Sequence, residues 1–214
     1  MTPLRTFSAI LSDLDGVLVD SGDSVEESWS AWARGVGLDP AVLDGRFHGR
    51  PAAEVVRDVA PHLDAVEEAA VVTAMDIAGP PARLLPGAAD LLTGASGLPV
   101  AIVTSSPDAL ARERLRAAEM PLPRVLVTAD RLSAGKPDPE GYRLAATELG
   151  VAPEHCLVFE DAPAGIAAGK AAGATVVAIA TTHPRAELGQ ADAIAGSVAE
   201  ALALLAAGGL EPQL

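Results

Sequence analysis

The sequence predicts an α/β fold: a parallel sheet with helices on both faces and an α-helical bundle inserted near its start. Three observations lead there. Five short aliphatic runs read as buried strands, at Phe7–Asp13, Pro99–Thr104, Val125–Thr128, Cys156–Glu160 and Thr175–Ala180. Several of them are near-continuous apolar stretches, as strands covered on both faces are. Helical patterns alternate with them, and alternation of strand and helix means a parallel sheet. The first strand is then followed by about 80 residues of helical character, far more than an ordinary strand-to-helix crossover takes.

The elements follow in order. After the Phe7–Asp13 strand come helical patterns at Asp23–Val36, with Asp23 and Glu26 spaced as a capping box, at Pro40–Asp44, at Ala52–Val59 and at Ala65–Ile77. The Pro80–Pro81 pair and Pro86–Gly87 punctuate the exit from this segment. The remaining helices fall at Gly87–Leu92, Pro107–Ala118, Pro139–Leu149 and Ala162–Ala172, and the Ala-rich tail Val198–Ala207 is a good helix former. The expected organisation is therefore a Rossmann-like α/β core of residues 1–17 and 83–214, with residues 18–82 as a helical cap. In such sheets the working groups sit at the carboxyl ends of the strands.

Composition bounds the chemistry. The chain has 214 residues, half of them hydrophobic and only 3% aromatic, so its core is aliphatic and large enough to fold. The net charge of −14 repels a phosphate backbone, so no nucleic-acid partner is expected. An anionic substrate would need the field reversed locally by a metal, a lysine or backbone N–H groups. The single cysteine, Cys156, excludes an internal disulfide and reads as a small buried hydrophobe. No apolar run reaches the ~18 residues of a membrane span, and the first apolar stretch is too short for a signal peptide. A cytoplasmic protein, monomeric or weakly self-associating and without a membrane partner, is the expectation.

Functional-looking groups cluster at the predicted strand ends. The first strand ends in Asp13-Leu14-Asp15-Gly16, the second in Thr104-Ser105-Ser106 and the fourth in Glu160-Asp161; Lys136-Pro137 follows Gly135 in the loop after the third. Each alone has an ordinary reading: Asp-x-Asp as a turn, Lys-Pro as a solvated loop, Ser-Ser before Pro107 as a helix N-cap. A parallel sheet brings all four together, setting several acids opposite one lysine. Carboxylates hold a hard cation, while lysine and hydroxyls neutralise phosphate oxygens, so the set suits Mg²⁺ plus a phosphoryl group.

Asp13-x-Asp15, Thr104, Lys136 and Glu160-Asp161, taken in this order, resemble the haloacid dehalogenase superfamily, in particular its phosphatase branch. Val158 to Pro184, His48-Gly49-Arg50-Pro51 and Gly135 to Tyr142 are similar to the sugar and polyol phosphatases, among them those acting on 2-deoxyglucose 6-phosphate and glycerol 3-phosphate. The resemblance implies that Asp13 attacks phosphorus to give an aspartyl-phosphate and that Asp15 protonates the leaving group, then takes a proton from water. It implies Mg²⁺ held by Asp13, the Asp15 carbonyl and Asp161, with Glu160 supporting. Lys136, Thr104 and the Ser105 N–H would cradle the phosphate. His48, Gly49 and Arg50 would face a small phosphorylated metabolite from the cap.

Some positions depart from the family. Ser12 stands where a Phe usually precedes the nucleophile. Val25 falls near the cap histidine of the β-phosphoglucomutases, which weakens a mutase reading. The cap lysine of the phosphonate hydrolases has no counterpart, since residues 18–82 contain no lysine. Hydrolysis of a sugar or polyol phosphate monoester is the leading expectation; a phosphosugar mutase and a catalytically idle phosphometabolite-binding protein are the alternatives. Asp20-Ser21 reads as the hinge of the cap, Trp29 and Trp32 as one packed cap face, and His183 as a surface residue able to approach the site.

Overall fold

The computed structural model describes residues 7–43, 45–94 and 96–207. In chain order the elements are β1 (Ala9–Ser12), β2 (Val19–Asp20), α1 (Gly22–Gly35), α2 (Ala52–Val59), α3 (Ala65–Ala78), β3 (Arg83–Leu84), α4 (Ala88–Leu92), β4 (Val100–Val103), α5 (Asp108–Ala117), β5 (Val125–Val127), α6 (Glu140–Leu149), β6 (Cys156–Glu160), α7 (Pro163–Ala172), β7 (Thr175–Ile179), β8 (Ala193–Ala195) and α8 (Val198–Ala206).

Six strands form one parallel sheet in the order β5-β4-β1-β6-β7-β8. The chain builds outward from β1 on one side, then returns and builds outward on the other. The resulting reversal in strand order beside β1 opens the crevice that α/β sheets use for ligands. Side chains alternate between faces with the period of two that strands impose. Ile10, Ile102, Leu157 and Phe159 pack with α4, α5 and α8, whereas Leu11, Val103 and Val158 pack with α6 and α7. Both faces are covered, as the continuous aliphatic runs predict.

The helical segment has a core of its own, in which Trp29, Trp32, Val55, Val56 and Val72 are buried together. Trp29 and Trp32 meet edge-to-face with centroids 5.4 Å apart, and the Trp32 indole N–H donates to Glu68 at 2.7 Å. An indole needs such a partner when buried. The segment leaves and rejoins the sheet through a two-stranded antiparallel ribbon in which Val19 pairs with Leu84 and Asp20 with Arg83.

Several expectations need correction. The sheet has a sixth strand, β8, whose three residues are too short to stand out by pattern, and the β2–β3 ribbon is equally brief. The Asp23–Glu26 capping box does not form: α1 starts at Gly22, and Ser21, in the cap position, makes no cap bond. Its hydroxyl instead donates to Asp15 Oδ1 at 2.7 Å. Ser105 and Ser106 do not cap α5 either; the Asp108 N–H donates to the Asp130 carboxylate at 2.6 Å. The predicted Pro40–Asp44 helix is a single 3₁₀ turn, Pro40–Val42. Asp44, with residues 1–6 and 208–214 of the expected core, lies outside the described residues. Among the described residues, no helix is long and apolar enough to cross a membrane.

Candidate active site

Strand register places the carboxylates. Ser12 of β1 pairs with Ile102 of β4 and with Phe159 of β6, so the next residues, Asp13, Val103 and Glu160, lie side by side at the carboxyl edge of the sheet. The Asp13 N–H donates to the Phe159 carbonyl at 2.9 Å, and the Ser12 hydroxyl to the Asp13 carbonyl at 2.7 Å. Lys136 arrives from the loop before α6. Its ammonium lies 2.5 Å from Asp13 Oδ1, 2.5 Å from Glu160 Oε1 and 3.3 Å from the Val103 carbonyl, and all three charged residues are buried.

Glu160 is held on every side. Besides Lys136, the Tyr142 hydroxyl donates to Oε1 at 2.7 Å, and the N–H groups of Asp161 and Ala162 donate to Oε2 at 3.0 and 3.3 Å. A buried charge survives only when paired and hydrogen-bonded in this way. Asp161 accepts from the Thr182 hydroxyl. Gly16, at φ +80°, passes so close that a Cβ there would fall 2.1 Å from Asp161 Oδ2. The turn after Asp15 thus requires glycine both for its left-handed backbone and for space.

Burial pushes Asp13 up to about 7 against the pull of Lys136, with Glu160 and Asp15 adding to the rise. Burial also holds Asp161 well above the usual carboxylate range, with Glu160 and Asp13 reinforcing it. On Lys136, burial opposes the charged form, but the two carboxylates outweigh it and raise the ammonium pKa. These acids share too little positive charge. One carboxylate oxygen from each of Asp13, Glu160 and Asp161 lies within 4.8 Å of the others. Such hard-oxygen donors beside a single ammonium fit a divalent cation such as Mg²⁺.

Asp15 turns away from this cluster. Oδ1 accepts from Ser21, and Oδ2 lies 3.0 Å from the Ser106 hydroxyl and 2.5 Å from Arg114 Nη1. Thr104, buried, accepts from the Ser106 N–H at 3.0 Å. The Ser105 hydroxyl donates across to the Gly49 carbonyl at 2.9 Å, which fastens the helical segment to the core.

A cleft of about 310 Å³ between the sheet edge and the helical segment brings Asp13, Asp15, Thr104, Ser105 and Asp161 together with His48, Gly49 and Arg50. Glu160 and Lys136 lie behind it. A larger cavity of about 570 Å³, between α2, α3 and the loop before α6, also reaches Thr104, Ser105 and Lys136. It lacks Asp13, Asp15 and Asp161, which line the smaller cleft. His48 lies 5.8 Å from His183, ring to ring, and burial lowers its pKa; His183 Nδ1 is 3.1 Å from the Asp161 carbonyl oxygen. Arg50 is paired with Asp58 at 2.8 Å and lies 3.8 Å from Glu54, which leaves it less free for a ligand than the motif alone implies.

Sequence reasoning did not single out Arg114, Asp76 or Thr182. Asp76 carries a usable signal, one acid inside the apolar stretch Ala69–Ala78. Arg114 carries none, because it sits among Arg112, Glu113 and Arg116 in an ordinary charged helix.

The model of the haloacid dehalogenase-like hydrolases matches residues 7–173. The chain is similar to hexitol phosphatase A of Escherichia coli, 41% identical over 88% of this chain and 90% of that one. It is also similar to validoxylamine A 7'-phosphate phosphatase of Streptomyces hygroscopicus subsp. limoneus, 40% identical over 91% and 95%. Among solved structures, CbbY of Rhodobacter sphaeroides in complex with phosphate superposes with a TM-score of 0.78 at 26% identity, covering 91% of this chain and 96% of that one.

Proposed function

The chain belongs to the haloacid dehalogenase-like hydrolases, and on that premise we propose that it is a Mg²⁺-dependent phosphatase hydrolysing small sugar or polyol phosphate monoesters through an aspartyl-phosphate on Asp13. The observation that carries the reading is the Lys136 ammonium, buried between Asp13 and Glu160 at the point where strand order reverses. The names of the relatives, phosphatases of a hexitol phosphate and of validoxylamine A 7'-phosphate, support the substrate class.

The chain's own groups divide the work. Asp13 is the nucleophile, with Lys136 fixing one of its oxygens and leaving the other for attack. Glu160, anchored by Lys136, Tyr142 and two N–H groups, keeps the lysine charged and in place. Lys136, Thr104 and the Ser105 N–H receive the phosphoryl oxygens, over which charge spreads in the transition state. Asp15 gives its proton to the leaving alkoxide and then accepts one from the attacking water. Mg²⁺ would be held by Asp13, the Asp15 carbonyl and Asp161 beside Glu160, and would supply positive charge against the repulsion between Asp13 and a phosphate dianion.

Residues 18–82 act as the cap, setting His48, Gly49 and Arg50 against the leaving group. Val25 lines the cleft, and its inability to move a proton supports hydrolysis over phosphosugar isomerisation. The test is phosphate release with Mg²⁺ over a panel of hexitol phosphates, 2-deoxyglucose 6-phosphate, glycerol phosphates, phosphoglycolate and β-glucose 1-phosphate. Release from the sugar and polyol esters is expected. Isomerisation of β-glucose 1-phosphate without release would make the protein a mutase, and silence across the panel would leave it a binding protein.

A further inference from the structure

Arg114 belongs to no strand-end motif, yet its guanidinium joins the two halves of the cleft. It projects from α5 and is only 5% exposed. Nη1 lies 2.5 Å from Asp15 Oδ2 and 2.8 Å from the Ser106 hydroxyl; Nη2 lies 2.6 Å from Asp76 Oδ2. Asp76 belongs to α3 of the helical segment and is itself steadied by the Ser24 hydroxyl of α1, 2.5 Å from Oδ1. The other oxygen of Asp15 is held by Ser21, next to the start of α1. One cation therefore connects the strand-end carboxylate to the two helices that flank it from above.

Stability does not explain an arginine here. A buried ion pair costs desolvation that an apolar pair of the same volume avoids, and exposed pairs such as Arg112–Asp108 add little of their own. What a guanidinium does, and an apolar side chain cannot, is grip two carboxylates at once in fixed geometry. From this we infer that Arg114 is a positioning residue: it ties the docking of α3, through Asp76, to the orientation of the Asp15 carboxylate in the cleft. The consequence for catalysis rests on the phosphatase reading of Asp15, whereas the linkage between Asp76 and Asp15 does not.

Two measurements separate these levels. Glycerol phosphate and p-nitrophenyl phosphate differ in leaving group: the alkoxide needs a proton to depart, the nitrophenolate does not. Arg114→Met is expected to lower kcat/KM about 10²-fold for glycerol phosphate, the lower end of what a placed general acid contributes, and less than about threefold for the aryl ester. Asp76→Asn, a milder change, is expected to show the same asymmetry. In the double variant Asp76→Asn is expected to add less than about a factor of two, because the link is already broken. Equal losses on both esters, or no loss, would overturn the inference by leaving Arg114 a merely structural residue.

Amide hydrogen exchange reads the linkage without any turnover. Both variants are expected to speed exchange at Val19–Asp20 and Arg83–Leu84, while Arg112→Met, altering an exposed neighbour, is expected to leave it unchanged. Unchanged exchange in Arg114→Met and Asp76→Asn alike would sink the linkage. A wild-type protein that cleaves neither ester would instead sink the phosphatase reading, with the exchange data still deciding the linkage.

Discussion

Gly165 of α7 lies directly against the carboxylate of Glu160: a Cβ placed there would fall 1.8 Å from Oε1. The helix gives up a side chain so that the acid beneath it can receive Lys136, Tyr142 and two backbone N–H groups together. In an unconstrained helix, replacing glycine by alanine stabilises by about 1 kcal/mol. Here the sign reverses. Gly165→Ala is expected to cost about 1–3 kcal/mol through displaced hydrogen bonds to a buried charge, with a lowered Tm and reduced kcat. A Tm equal to or above wild type would show that Glu160 has room to move.

Asp13→Asn keeps the size of the side chain but removes the ionised oxygen that, in the proposed mechanism, would attack phosphorus. Turnover is expected to fall at least about 10³-fold, as when other enzymes lose their nucleophile. The circular-dichroism spectrum should be unchanged, because Lys136 retains Glu160. Steady-state phosphate release measures it, and turnover near the wild-type level would remove Asp13 from the nucleophile's role.

The raised pKa of Asp13 makes stability depend on pH in a definite direction. Between its ordinary value of 3.8 and its value of about 7 in the fold, the folded state holds a proton that the unfolded state has lost. Stability of the metal-free protein therefore falls as pH rises through this window. Denaturant titrations in a chelator at several pH values should show the decline, flattened in Asp13→Asn. A wild-type profile rising over the same interval would contradict the assignment.

Chelation tests the donor set. EDTA is expected to abolish phosphate release and excess Mg²⁺ to restore it. Mg²⁺ should also raise the Tm, and more at pH 8 than at pH 5, since binding needs the carboxylates ionised. Activity indifferent to EDTA would exclude a metal from Asp13, Glu160 and Asp161.

The strand-end residues were legible because chemistry and topology agree on them: Asp13, Lys136 and Glu160 meet only if the aliphatic runs form one parallel sheet, and they do. Strands β6 and β7 each carry four consecutive hydrophobic residues, Cys156–Phe159 and Val176–Ile179, a pattern that few other structures accommodate. Ala193–Ala195 has no such length, and its pairing with β7 comes from tertiary contact. The ordinary reading of Ser105 and Ser106 as a helix cap fails for a related reason. A hydroxyl near a helix start looks like a cap, but at a cleft the carboxylate of Asp15 or the carbonyl of Gly49 competes for it. Arg114 is harder still, because its partners Asp15 and Asp76 lie far from it in the chain and only the fold brings them to it.

The aromatic residues have a further use. The chain has two tryptophans, and both, Trp29 and Trp32, sit in the small core of the helical segment. Light near 295 nm therefore excites this segment and leaves the sheet dark. Trp29 also lines the cleft, so the protein carries an optical probe where a substrate would rest, and occupancy can be followed by emission without a label.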